Sequence, residues 1–279
     1  VRAWCDARGI ALVEDCAHCY FGQAGDRPIG AWGDYSTASL SKFFPVPECG
    51  VLASASHPIQ RLQLTAQSIK AEVKGCIDVL EVAARHRRLP GLNGLLRFGF
   101  SLKQRLARPA PASAGPAPAP ADAMMAISDM GRIARRPLGA SLAIRRILPR
   151  GRVIARRQRN FAIYLELFAG LPGTRPIVMA PGEPVAPYVF PLWVDNADVI
   201  YHAMRLEGLP VFRWDRLWPG VPVLPDDTGP LWSRHLIQFL CHQDLSEDDI
   251  RRTAGRLIEM LQPGFAHPPA PPSDQGHPP

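Results

Sequence analysis

The sequence predicts an α/β protein of two domains separated by a long basic segment. Three observations support this. Short apolar runs at 10–13, 35–40 and 50–54 are set apart by polar or glycine-punctuated stretches, as strands of one sheet would be. A second strand–helix–strand–helix order runs from about 187 to 261. Between the two, residues 85–141 depart in both charge and composition.

In chain order, residues 1–8 are the end of a helix with Gly9 at its C-cap. Residues 10–13 form a buried strand, and Glu14-Asp15-Cys16-Ala17-His18 leaves it. A loop from Gly22 to Gly33, with Gly25-Asp26-Arg27-Pro28 inside it, leads to strands at 35–40 and 50–54. Ser56-His57-Pro58 predicts a helix start, with Ser as N-cap and Pro in the first turn. In the basic and apolar stretch 89–108, Leu95, Phe98, Leu102 and Leu106 recur at helical spacing. Residues 109–121 are almost purely Pro, Ala, Gly and Ser. They bury too little apolar surface to offset their ordering entropy, which predicts a flexible linker.

The second domain begins near Leu142 with an Arg-rich helix, followed by a strand at 187–194. Asn196 caps a helix reaching about Glu207 and ended by Gly208. An apolar strand follows at 235–241. Ser246-x-x-Asp249 is a capping-box pattern that opens a helix to about Leu261. The Pro/His-rich tail from 263 is expected to be disordered. The expected organisation is therefore 1–84, 85–141, 142–262 and 263–279.

Of 279 residues, 47% are apolar, enough for one large or two modest cores. No run of about 18 apolar residues occurs, so no membrane-spanning helix is expected. Six cysteines in a chain of this length make no dense disulfide framework, and a reduced cytoplasm is the expected compartment. Cys16 and Cys19 lack a second ligand pair at matching spacing, so no metal site is expected. Between Arg85 and Arg159 there are 17 Lys/Arg against two acids, in a chain whose net charge is only +7. The basicity belongs to that segment and not to the fold.

The chemistry lies near the start. Asp15 follows the first apolar run, and Lys42 stands in Ser39-Leu40-Ser41-Lys42-Phe43-Phe44-Pro45-Val46-Pro47-Glu48-Cys49-Gly50, just ahead of the run 51–53. A carboxylate ending one strand and a lysine preceding another are what a pyridoxal 5'-phosphate (PLP) enzyme requires. The lysine binds the cofactor covalently, and the acid pairs with the pyridinium nitrogen so that the ring acts as an electron sink.

Taken together, Glu14-Asp15-Cys16-Ala17-His18, Gly33-Asp34, Ser39, Lys42 and Glu48-Cys49-Gly50 resemble the pattern "E-D-x-A-H/Q, G-D, S, K, E-G-G" of the DegT/DnrJ/EryC1/StrS sugar aminotransferases. Further along, Arg156-Arg157-Gln158-Arg159-Asn160-Phe161 with Tyr164 resembles that family's "R-R-x-N-Y-x-x-L" helix. Residues 187–194 and 235–250 resemble its small-domain strand and closing segment. The resemblance implies PLP-transferase fold type I: a partial large domain with a mostly parallel sheet, plus a smaller C-terminal α/β domain. It implies that Lys42 carries PLP, Asp15 holds the pyridinium nitrogen, His18 sits by the ring oxygen and Ser39 bonds the phosphate. Arg213, beside Trp214 and Trp218, would face the substrate.

Three departures stand out. The Ser39-to-Lys42 spacing is two residues shorter than usual, although a subgroup with "S-L-x-K-x-L-P-V-P" is similar. Cys49 replaces the first glycine of the usual pair, so an altered backbone conformation is expected where glycine adopts its own easily. Nothing ahead of Asp15 supplies the Gly/Ser/Thr turn that cradles the phosphate, so the chain resembles an N-terminally truncated member.

The implied activity is transfer of an amino group from an amino acid, glutamate in most members, to a nucleotide-linked keto-sugar for polysaccharide or antibiotic-sugar synthesis. The enzyme would be a homodimer that binds no nucleic acid. Lys42 argues against the related dehydratases, which carry histidine there. The alternative is an inactive member serving as a scaffold, with 85–141 contacting a membrane surface or partner.

Overall fold

The computed structural model describes residues 1–106, 130–178, 185–213, 222 and 224–265. The linker expected at 109–121, Trp214, Trp218 and the tail beyond 265 lie outside the described residues. Contacts divide the chain into two units, Val1–Ala17 with Gly30–Leu148 and His18–Ile29 with Pro149–Pro279.

In the first unit, α1 (Arg2–Asp6) leads through Gly9, at φ 63°, into β1 (Val13–Asp15). The ladder begins later than the apolar run 10–13 because a side chain holds Leu12. Its N–H donates to Asp34 Oδ2 at 2.7 Å, and its carbonyl accepts from the N–H groups of Asp34 and Tyr35. The short hairpin β2 (Gln23–Ala24) and β3 (Arg27–Pro28) falls in the second unit and turns through Gly25, at φ 67°. Back in the first unit, β4 (Tyr35–Ser39) runs into a 3-10 turn, Leu40–Lys42, and then β5 (Gly50–Ala53). The sheet order is β1-β4-β5, with β1 parallel and β5 antiparallel to β4.

No helix starts at Ser56. Ser54 Oγ donates to the Asp34 carbonyl and accepts the N–H groups of Ser56 and His57, which sets residues 54–57 in a serine turn. The helix begins instead after Ser68, whose hydroxyl accepts the Ala71 N–H at 3.2 Å: α2 (Ile69–Arg85). Next come α3 (Asn93–Leu106) and α4 (Gly139–Ile147). The Arg-rich segment expected as one helix is thus two, α4 and α5 (Arg150–Phe168), broken at Leu148-Pro149 where the units divide. Two distant carboxylates serve the α4 N-terminus. Glu48 accepts from Leu138 N–H at 2.8 Å and Glu72 from Gly139 N–H at 2.9 Å, both favoured by the helix dipole.

The Asp34 carboxylate ties this unit together. It accepts from Leu12 N–H and from Arg2 at 2.8 Å, and it lies 3.2 Å from His57 Nε2. The Arg2 guanidinium, chiefly, holds its pKa well below the usual carboxylate range. A depressed acid stabilises the fold above its unfolded pKa and loses that contribution as pH falls through the folded one. Asp34→Asn is therefore expected to melt lower than wild type near neutral pH. The gap between the two melting midpoints should narrow as pH drops below about 4, where the unfolded carboxylate protonates. Thermal melts across a pH series check this.

The second unit continues from α5 with β6 (Thr174–Pro176), β7 (Val189–Val194), α6 (Ala197–Leu206) and β8 (Val211–Phe212), followed by α7 (Gly229–His235), β9 (Leu236–Leu240) and α8 (Glu247–Met260). Its sheet is antiparallel throughout, in the order β6-β7-β9-β8. Alternate residues of β7 (Phe190, Leu192, Val194) are buried, as period-2 patterning requires. They meet Phe161, Tyr164 and Phe168 of α5, and Ile250, Ala254 and Leu257 of α8 join the same core.

Local sequence rules hold well here. Ser246 and Asp249 form the predicted capping box, and Gly208 ends α6 at φ 70°. Asn196 occupies the N-cap of α6, but its side chain makes no capping bond. Arg157 is fully buried. It is satisfied by Gln243 Oε1 at 2.8 Å and the Pro187 carbonyl at 3.2 Å, and burial depresses its pKa to about 10.

Candidate functional site

β1 and β4 run parallel with Asp15 opposite Thr37, so both strands end on the same edge of the sheet. Asp15 is the last residue of β1, Ser39 the last of β4, and Lys42 closes the 3-10 turn that follows. The carboxyl edge of parallel strands is where α/β proteins place ligands, because side chains at strand ends project there without interrupting the ladder. The residues carrying the acid, the hydroxyls and the amine therefore stand at one edge of the sheet.

Each is held by its surroundings. Asp15 is exposed, and its Oδ1 accepts the Ala17 N–H at 2.9 Å, a short-range turn that fixes the carboxylate at the strand end. Ser39 Oγ lies 3.0 Å from Ser41 Oγ, putting two hydroxyls beside the lysine. Lys42 is half-buried, while Leu40, Phe43 and Phe44 on either side of it are 0%, 0% and 2% exposed. Three apolar anchors within five residues leave the turn little freedom, so the amine is carried on a rigid mount.

Residues that the motif contains but whose work was not foreseen do the positioning. Glu14 Oε2 accepts the N–H groups of Trp32 and Gly33, at 2.8 and 2.7 Å, and this fastens the loop before β4 to β1. Gly33 is needed for space. A Cβ there would lie 2.8 Å from the carbonyl oxygens of both Leu12 and Tyr35. Gly33→Ala is expected to cost about 1–3 kcal/mol through forced backbone shifts, read as a lowered urea midpoint with unchanged slope.

Cys49 raises no conformational difficulty. Among the described non-glycine residues only Arg87 has a left-handed backbone, so glycine's freedom is not required at 49. Cys49 is buried, its carbonyl accepts the Leu40 N–H at 2.9 Å, and burial pushes its thiol pKa up.

Two other predicted residues lie in the second unit. His18 packs edge-on to Tyr188, with ring centroids 4.8 Å apart. Arg213 is 8% exposed. Its guanidinium donates to Asp198 at 2.6 Å and to the carbonyls of Ser233 and Arg234, and it lies over the Tyr201 ring. Those bonds engage both of its Nη groups within the unit.

One unit has a small mixed sheet with a lysine turn at the carboxyl edge of its parallel strands, the other an antiparallel sheet with its helices, and this fold is shared with solved aminotransferases. Solved structures sharing it include the aminotransferase TlmJ from Streptoalloteichus hindustanus, with TM-score 0.53, 17% identity, and coverage of 93% of this chain and 61% of that one. DesV of S. venezuelae, solved in complex with a ketimine intermediate, matches with TM-score 0.53 and 17% identity over 92% of this chain and 60% of that one. A DegT DnrJ EryC1 StrS aminotransferase from Brucella abortus matches with TM-score 0.51 and 14% identity over 91% of this chain and 58% of that one. At these identities the likeness establishes the fold. The chain spans about three fifths of the length of these structures. No protein-family model and no curated protein matches the sequence. Among the described residues, no helix is long and apolar enough to cross a membrane.

Proposed function

We propose that this chain is the PLP-holding part of an aminotransferase that moves an amino group from an amino-acid donor, glutamate by family resemblance, onto a nucleotide-linked keto-sugar, working as a homodimer. The observation that carries the proposal is the placement of Asp15, Ser39 and Lys42 at the carboxyl end of one parallel strand pair. The residues present fit the cofactor: an anchored acid for its pyridine nitrogen, an amine on a rigid turn for its aldehyde, and paired hydroxyls for its phosphate. Bound there, PLP would supply an electron sink for the substrate's α-carbon.

In this reading the Asp15 carboxylate, its Oδ1 fixed by Ala17, keeps the ring nitrogen's proton in place by charge. Lys42 Nζ binds the cofactor and then carries the proton leaving the donor's α-carbon, acting as base and afterwards as acid. Ser39, with Ser41 beside it, offers hydroxyl donors to the phosphate. The scaffold reading loses a motive with Cys49, whose backbone is unstrained.

Asp15→Asn tests the acid. The neutral amide cannot hold a pyridinium proton, so transamination is expected to fall by about 10²–10⁴-fold, the range for losing a group that controls a proton in the transition state. The visible absorbance that wild type gains on adding PLP should persist in the variant, because Lys42 remains. Unchanged turnover in Asp15→Asn would remove the carboxylate from the site.

A further inference from the structure

Helix α3 carries an apolar stripe that is exposed among the described residues. Leu95, Phe98 and Leu102 follow one another at three- and four-residue intervals and are 70%, 68% and 47% exposed, with Leu92 just ahead at 54%. Half-buried Leu96 and Phe100 lie on the other side of the helix, and α2 packs against it. A contiguous exposed stripe of leucine and phenylalanine marks an interaction surface, whereas scattered single residues do not.

The charge around the stripe selects what it meets. From Val82 to Leu106 the sequence holds six Lys/Arg and no Asp or Glu. Arg85 and Arg97 line an open cleft of about 490 Å³ between α2 and α3, together with Phe98, Phe100, Ser101 and Glu81; Glu81 pairs with Arg85 at 3.2 Å. Pairing this surface with a second copy would set the same cations against each other, with Glu81, already paired with Arg85, the acid in the cleft. A nucleic acid would meet the cations but leave the leucines in water. Gly94 and Gly99 have open space where a Cβ would sit, so packing does not call for them, and each weakens the helix in water. α3 thus depends on outside contacts for its order more than on its own propensity.

We infer that α3 is an interfacial helix that lies on an anionic lipid surface. Leu95, Phe98 and Leu102 enter the acyl boundary while Arg85 and Arg97 sit at the level of the lipid phosphates. The inference stands apart from the chemistry at Lys42.

Cosedimentation of the full chain with phosphatidylcholine vesicles, with and without roughly one third phosphatidylglycerol, tests it. The expected result is binding only to the anionic vesicles, weakened by salt. Binding should fall by about tenfold or more in the double variant Leu95→Ser/Phe98→Ser and also in Arg97→Glu. All these positions are exposed, and an unchanged melting midpoint would confirm that the variants fold. Equal binding to neutral and anionic vesicles, no binding, or undiminished binding by the double variant would overturn the inference. So would lipid-free self-association that the double variant abolishes, which would assign the stripe to a second copy. Equally strong binding to a soluble polyglutamate would assign the cations to an acidic partner and overturn it as well.

Discussion

Lys42→Ala is expected to lose both the visible absorbance that wild type gains with PLP and transamination, the latter by at least about 10⁴-fold, the upper end for a single acid–base group. The size follows from two roles in one atom. Nζ is the point of covalent attachment and also the proton carrier, and alanine replaces neither. The fold should survive. Leu40, Phe43 and Phe44 keep the turn seated, and Lys42 itself is only half-buried. An unchanged melting midpoint with activity abolished is therefore the signature. Lys42→Arg separates the roles further, because it keeps the charge but cannot form the covalent link, and it should be as inactive as alanine. If Lys42→Ala retains turnover within a few-fold of wild type, the amine does no chemistry.

Phe239→Ala is expected to have the largest effect on stability, about 3–5 kcal/mol. Phe239 is fully buried on β9, opposite Phe190 of β7, with Tyr164 at 5.3 Å and Phe168 at 5.0 Å between ring centroids. Removing it opens a cavity at the junction of sheet and helix α5, where neighbours from three elements are locked against collapse. The loss combines the transfer free energy of the ring with the unfilled space. Urea unfolding should show it as a shifted midpoint. A change under 1 kcal/mol would mean that the second unit's core is far more plastic than its packing implies.

What could be read from the sequence was what local rules determine. The capping box at Ser246/Asp249, the left-handed Gly208 and the alternation in β7 each follow from residues within one turn or strand of each other. Asp15 and Lys42 stood out by their order along the chain. That they share an edge depends on the parallel register of Asp15 against Thr37, which no local pattern displays. The misplaced helix start at Ser56 shows the same limit. Its N-cap pattern was sound in itself, but Ser54, tied to the Asp34 carbonyl, holds the Ser56 and His57 amides in a turn. The caps of α4 come from Glu48, 90 residues before Leu138, and Glu72, 67 before Gly139. Such pairings arise only once the chain has packed.

The chain contains four lysines, Lys42, Lys70, Lys74 and Lys103, so one measurement locates where the cofactor attaches. Incubating the protein with PLP, reducing with borohydride to fix any covalent link, and digesting for mass spectrometry locates the cofactor on a named residue. A phosphopyridoxyl adduct is expected on the peptide containing Lys42 and absent in Lys42→Ala. An adduct spread over the other three lysines, or confined to one of them, would contradict attachment at Lys42.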